Sequence, residues 1–187
     1  TRHIMTEPLT NYNMLVLDQT LRNDSYVSVM NTNVIRAGKR NENFYTANVS
    51  GFEALVKTAD RLWSVSAGAV LSQKYYSSDP TALGHSLNFN AGRTGGKFRA
   101  DYRFSMMSDT YDPNDMGYLR KNNEIEHSVD FSYNTYEPFG NIMTTRTSLD
   151  FSYGQLYNPR AFTTAEVRLD AMILLMNFWS LSLDLEL

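Results

Sequence analysis

Apolar and polar residues alternate with a period of two along most of the chain, the spacing that sends successive side chains to opposite faces of an extended strand. Residues 62–72 set Trp63, Val65, Ala67, Ala69 and Leu71 against Leu62, Ser64, Ser66, Gly68, Val70 and Ser72, mostly small or polar. Residues 97–106 set Phe98, Ala100, Tyr102, Phe104 and Met106 against Lys97, Arg99, Asp101, Arg103 and Ser105. The same split recurs with Val129, Phe131 and Tyr133 against Ser128, Asp130 and Ser132, and with Leu149, Phe151 and Tyr153 against Ser148, Asp150 and Ser152. It returns with Val167, Leu169 and Ala171 against Glu166, Arg168 and Asp170, and with Leu181, Leu183 and Leu185 against Ser182, Asp184 and Glu186. A shorter strand carries Leu87, Phe89 and Ala91. Earlier in the chain, residues 12–18, 25–36 and 44–57 are rich in Val, Tyr, Thr and Asn and also predict strands. Near Gly51 the apolar parity changes from Ala47 and Val49 to Phe52, Ala54 and Val56, which predicts a one-residue bulge. No window sustains a helical stripe, so the expectation is about ten strands in one all-β, antiparallel up-and-down meander over residues 1–187.

The connections from residue 57 onward alternate in length. Residues 57–61, 93–97, 137–141 and 176–178 are tight, whereas 74–82, 108–123 and 154–160 are longer. In a meander this places short turns on one rim and long loops on the other, an asymmetry of transmembrane β-barrels. Aromatic residues gather at the same two rims: Trp63, Phe98, Tyr136, Phe139, Phe178 and Trp179 near the short turns, and Tyr75, Tyr76, Tyr111, Tyr118, Tyr157 and Phe162 near the long loops. Amphipathic rings at both ends of an apolar band match the two interfaces of a bilayer.

Composition narrows the classes. The 187 residues are 13% aromatic and carry a net charge of −3, which argues for one folded domain and against a basic surface for nucleic acid. Without cysteine there is no disulfide framework, thiolate metal site or cysteine nucleophile. The longest apolar run, 171–176, is too short for a membrane-spanning helix, and residues 1–8 lack the pattern of a signal peptide.

Alternation alone leaves two readings open: the apolar face packs on a protein core, or it faces lipid. The opposite face mixes both signs strand after strand, and such residues can pair across a wet interior. With the loop asymmetry and the two belts, the expectation is a transmembrane β-barrel or an arc of a larger one, with the lipid bilayer as partner. Arg99, Asp101, Arg103, Asp130, Asp150, Glu166, Arg168 and Asp170 would line its lumen, and Trp63, Phe98, Phe104, Phe131, Phe151 and Trp179 would face lipid or its interfaces. The alternative is a soluble antiparallel barrel or sandwich that binds a ligand, with Trp63, Phe98 and Phe104 in its core.

Four segments carry a family resemblance: NYNMLVLD at 11–18, NDSYVSVMNTN at 23–33, ANVSG at 47–51 and DPNDMGY at 112–118. Over roughly residues 10–155 the chain resembles an uncharacterised family of Bacteroidota outer-membrane proteins, in which a carbohydrate-binding-like module of the family-nine type precedes a large β-barrel. The resemblance implies the bacterial outer membrane, a channel or anchoring role, and a glycan-related context. The module lies outside this chain and the terminus lacks a final aromatic residue, so a piece of a larger barrel is expected.

No motif for catalysis emerges. The glycine-rich stretch 92–97 lacks the spacing and the following Ser or Thr of a phosphate loop and predicts a hairpin turn. His3, His85 and His127 stand singly. Asp109, Asp112, Asn114 and Asp115 crowd one loop, but Asn123 occupies the place where a calcium loop needs its bidentate Glu, so an Asx-turn loop is expected. Asp130 and Asp150 could be drawn as a hydrolytic pair, yet nothing gives them different environments. The expectation is therefore a non-enzyme without cofactor or metal.

Overall fold

The computed structural model describes residues 9–37, 45–77, 79–115 and 117–187. They form ten strands: β1 (Leu9–Thr20), β2 (Tyr26–Ala37), β3 (Tyr45–Lys57), β4 (Trp63–Tyr76), β5 (Ala82–Arg93), β6 (Phe98–Met107), β7 (Glu124–Thr135), β8 (Ile142–Gln155), β9 (Phe162–Leu175) and β10 (Ser180–Glu186). All belong to one sheet in sequence order, each antiparallel to its neighbours. The meander expected from period two is present, and most strands extend two to five residues beyond the stretches where alternation is visible.

The sheet is open. Among the described residues β1 and β10 do not pair with each other, so one edge of each has no partner strand. The strands are staggered in a constant sense. Leu17, Val29, Phe52, Ala69, Leu87, Met106 and Ile125 form one cross-strand row. Leu17 lies three residues from the end of β1 at the short-turn rim, whereas Ile125 lies ten from the end of β7 there. Such progressive shear is what tilted strands of a barrel wall have.

Two details depart from expectation. β3 pairs with β2 and β4 without a register break at Gly51, so there is no bulge; the irregularities fall between β8 and β9. The parity change at Gly51 reflects burial instead. Phe52 and Val56 are exposed on the outer face, while Ala47 and Val49 are buried on the other. Loop asymmetry also narrows. Residues 77–81 and 156–161 are short connections, and 108–123 is the one long connection between described strands, 38–44 lying outside the described residues.

That loop folds onto the polar face rather than away from the sheet. Tyr111 is buried with its backbone over Gly84 on β5; a Cβ at Gly84 would lie 2.3 Å from Tyr111 Cα. The Asp112 N–H donates to Ser72 Oγ at 3.1 Å, and the His85 N–H donates to Ser108 Oγ at 3.0 Å. Together with Val34, Ala47 and Val49 on the same face, Tyr111 makes up most of the buried apolar core. Tyr111 thus lies on the polar face, as does Tyr76 of β4, whose ring lies 5.3 Å from that of Tyr45, so neither sits with Tyr75 on the apolar face.

The tight turns obey local chemistry. In the β5–β6 turn the Thr94 N–H donates to Leu62 O at 2.8 Å and Gly96 adopts φ +87°, a conformation that disfavours side chains with a Cβ. The stretch 92–97 is thus a hairpin.

Candidate functional site

Register carries the two residue sets expected from alternation to opposite faces. On the polar face Asp101, Asp130, Asp150, Arg168 and Glu186 form a single cross-strand row. Arg103 reaches Asp101 at 3.2 Å and also pairs with Asp130, and the Asn90 amide donates to both oxygens of Asp101 at 2.8 and 3.0 Å. Arg168 stands opposite Asp150 in the ladder but pairs with Glu186 at 3.2 Å. Asp170 faces Asp184 and accepts from Ser148 at 3.4 Å, and Arg99 donates to the Tyr136 hydroxyl at 3.3 Å. Glu166 accepts from Thr164 at 3.3 Å and feels the charge of Arg168.

Acid dominates this face. Within β6–β10 it presents nine carboxylates, namely Asp101, Glu124, Glu126, Asp130, Asp150, Glu166, Asp170, Asp184 and Glu186, against the four guanidiniums of Arg99, Arg103, Arg146 and Arg168. A surface of such excess draws cations toward it. Asp130 and Asp150 lie opposite one another, and Arg103 serves Asp130.

Lining the apolar face, Trp63, Phe98, Phe131 and Phe151 are exposed, and Trp179 projects from the β9–β10 turn. Phe98 and Phe131 stack at 6.4 Å. Phe104 is half-buried beside the His127 ring at 5.0 Å, and His127 Nδ1 and the Tyr102 hydroxyl share a hydrogen bond of 2.9 Å. That bond gives the one histidine on this apolar stretch of β7 a partner, a relation between strands that spacing within one strand does not disclose.

Sequence reasoning also missed the anchor of the 108–123 loop. Arg36 on β2 pairs with Asp115; Lys74 on β4 pairs with Asp112 and lies 3.6 Å from Asp115; the Tyr45 hydroxyl donates to Asp115 at 3.0 Å. Arg36, Tyr45 and Lys74 share the polar-face parity, which was the available signal. The acids once weighed for calcium are thus engaged by the protein itself, Asp109 by the Asn158 amide at 2.9 Å. The Asx-turn expectation is met, since Asp112 Oδ1 accepts from the Asn114 N–H at 3.0 Å. Among the described residues no group of three or more His, Asp or Glu side chains is arranged to hold a metal ion.

Partial burial opposes charge on Asp112, but the hydrogen bond from Lys74 and the Asn114 N–H outweigh it and hold its carboxyl below the usual range. A folded-state value below the unfolded one adds stability that is present above the unfolded value and lost as pH falls through the folded one. The loop should therefore stay anchored at neutral pH and loosen below about pH 4. Limited proteolysis within 108–123 across an acid series should show cleavage rising only there, and a flat profile would remove Asp112 from the anchor.

Comparison with curated proteins and with solved structures finds no match. A family model described as a domain of unknown function matches the whole chain, residues 1–187. By that match the chain belongs to the DUF5916 family.

Proposed function

We propose that this sheet is an arc of the wall of a bacterial outer-membrane β-barrel, non-catalytic, which lets small polar solutes pass along its acid-rich inner face. The observation that carries the reading is the outer face itself. Leu17, Val29, Phe52, Val65, Phe89, Phe131, Phe151, Val167 and Leu183 are all exposed on one continuous surface, with no second layer over them among the described residues. An apolar patch of this extent needs a cover, and a bilayer supplies one. The exposed Trp63, Tyr136, Phe139, Phe178 and Trp179 at the short-turn rim fit its interface. Tilted strands and a charged opposite face fit the same role.

In lipid an open edge leaves backbone N–H and C=O groups unpaired, each at a cost of several kcal/mol. The free edges of β1 and β10 are accordingly where further strands complete the wall. Expression of the intact protein with an export signal, followed by outer-membrane fractionation and gel migration with and without heating, tests the proposal. A detergent-dependent, heat-modifiable band is expected. A monodisperse protein in detergent-free buffer would overturn it and turn the apolar face into an interface between protein layers.

A further inference from the structure

Four carboxamides interrupt the apolar face. Asn13, Asn33, Asn48 and Gln73, on β1, β2, β3 and β4, stand opposite one another in a single cross-strand row. Asn31 and Ser50 follow in the next row on the same face. Exposed apolar residues bound this island on both sides: Leu17, Val29 and Phe52 toward the short-turn rim, and Leu9, Ile35 and Tyr75 toward the long-loop rim. The island therefore lies within the apolar band and not beyond its end. On β2 and β3 the two faces exchange character here, since Val34, Ala47 and Val49 are buried on the polar-face side. Contacts within the sheet use only part of the island. The Asn31 amide donates to Asn48 Oδ1 at 2.7 Å and to Ser50 Oγ at 2.9 Å, and the Tyr75 hydroxyl donates to Gln73 Oε1 at 2.6 Å. Asn33 Oδ1, closed in by its neighbours, has no hydrogen-bond partner, and Asn13 is exposed on the edge strand. The row is thus not a self-satisfied network. Hydrocarbon offers amides no hydrogen bonds, so lipid is a costly cover for this sector. The residues of β1–β4 on this face include no Asp, Glu, Lys or Arg, so a charged partner or a lipid phosphate finds no counter-charge. Each carboxamide carries both donors and an acceptor. The same row, turned about a two-fold axis, supplies a donor for each acceptor and an acceptor for each donor, and brings no like charges together.

We infer that a second copy of this chain docks on the island, two walls meeting side by side through the amide row about a two-fold axis along the membrane normal. The inference rests on the membrane-wall reading above, which puts this face against lipid. Such an axis sets Asn33 of one copy near Asn48 of the other at the centre of the row. The intact protein in mild detergent should be a dimer by light scattering. Asn33→Leu/Asn48→Leu, which gives lipid an apolar surface in place of the amides, should be monomeric and still heat-modifiable. The chain has no cysteine, so single cysteines report proximity between copies without background. Treated in membranes with a short bis-maleimide, Asn33→Cys and Asn48→Cys should each give a cross-linked dimer, whereas Leu149→Cys, exposed on the same face of β8, should not. These variants keep the test decisive if the double leucine variant fails to fold. A monomeric wild type, no cross-link at either amide position, or equal cross-linking at Leu149→Cys would overturn the inference. A heat-modifiable barrel that stays monomeric would end the inference and leave the wall reading standing. A water-soluble dimer cross-linked through Asn48→Cys would support the contact and end the wall reading.

Discussion

Val129→Arg should block membrane assembly, whereas Ser128→Arg, one residue away, should allow it. Val129 lies at the middle of the outward-facing series on β7, in register with Tyr102 and Phe151, and its side chain points to the apolar face. An arginine on the lipid face near the bilayer midplane costs about 2–4 kcal/mol, enough to shift the folded fraction by one to three orders of magnitude. Ser128 points to the polar face, beside Arg103 and Ser152, where a guanidinium meets water and excess carboxylate. Folding into vesicles, read by heat-modifiable migration, distinguishes them. Equal behaviour of the two variants would mean that the faces do not see different solvents.

The second large effect concerns the loop held across the polar face. Asp115 is buried, with a side chain 5% exposed, and Arg36 is its main cation at 18% exposure. Arg36→Ala leaves that carboxylate with Lys74 at 3.6 Å and the Tyr45 hydroxyl. Removing one partner of a buried pair costs about 3–5 kcal/mol, and the remaining Lys74 puts this case at the lower end. The loop should detach, exposing residues 108–123 to protease, and Asp115→Asn added to Arg36→Ala should restore part of the protection because the unpaired charge is gone. Gly84→Ala attacks the same seat sterically: its Cβ would fall 2.3–2.4 Å from backbone atoms of Thr110 and Tyr111, which cannot move aside as a side-chain tip could. If the polar face lines a pore, both variants should raise single-channel conductance. Unchanged proteolysis in Arg36→Ala would show that the loop is held by other contacts.

The parity change at Gly51 shows how far local pattern carries and where it fails. Ala47 and Val49 lie on the polar-face side of an unbroken β3 and are buried there, although both are apolar. Read within one strand, the same residues can only suggest a bulge. At the long-loop rim Tyr75, Tyr118 and Phe162 are exposed, while Tyr76 and Tyr111 lie on the polar-face side. Tyr76 faces the polar side by the alternation of β4, whereas the position of Tyr111 depends on a loop that folds back onto the sheet. At the short-turn rim, where turns are tight and local, Trp63, Phe98, Tyr136, Phe139, Phe178 and Trp179 are all exposed.

The charged set behaved likewise. Alternation sufficed to put Asp101, Arg103, Asp130, Asp150 and Arg168 on one face, because a side chain's face follows from its own strand's period of two. Which of them touch does not follow from it. Arg168 opposes Asp150 in the ladder yet binds Glu186, and the Lys74, Arg36 and Asp115 cluster joins segments far apart in sequence.

What the sequence determined by itself is therefore the all-β class, the number and order of strands, the face of each side chain in the strands where alternation is unbroken and the sites of the tight turns. All of these rest on interactions between residues close along the chain, where backbone geometry leaves little choice. The tertiary structure alone decided the cross-strand rows, the stagger of the sheet, the open edges of β1 and β10 and the inward course of residues 108–123. Those features depend on which distant backbone and side-chain groups meet, and a period of two is equally compatible with many registers until packing and pairing select one.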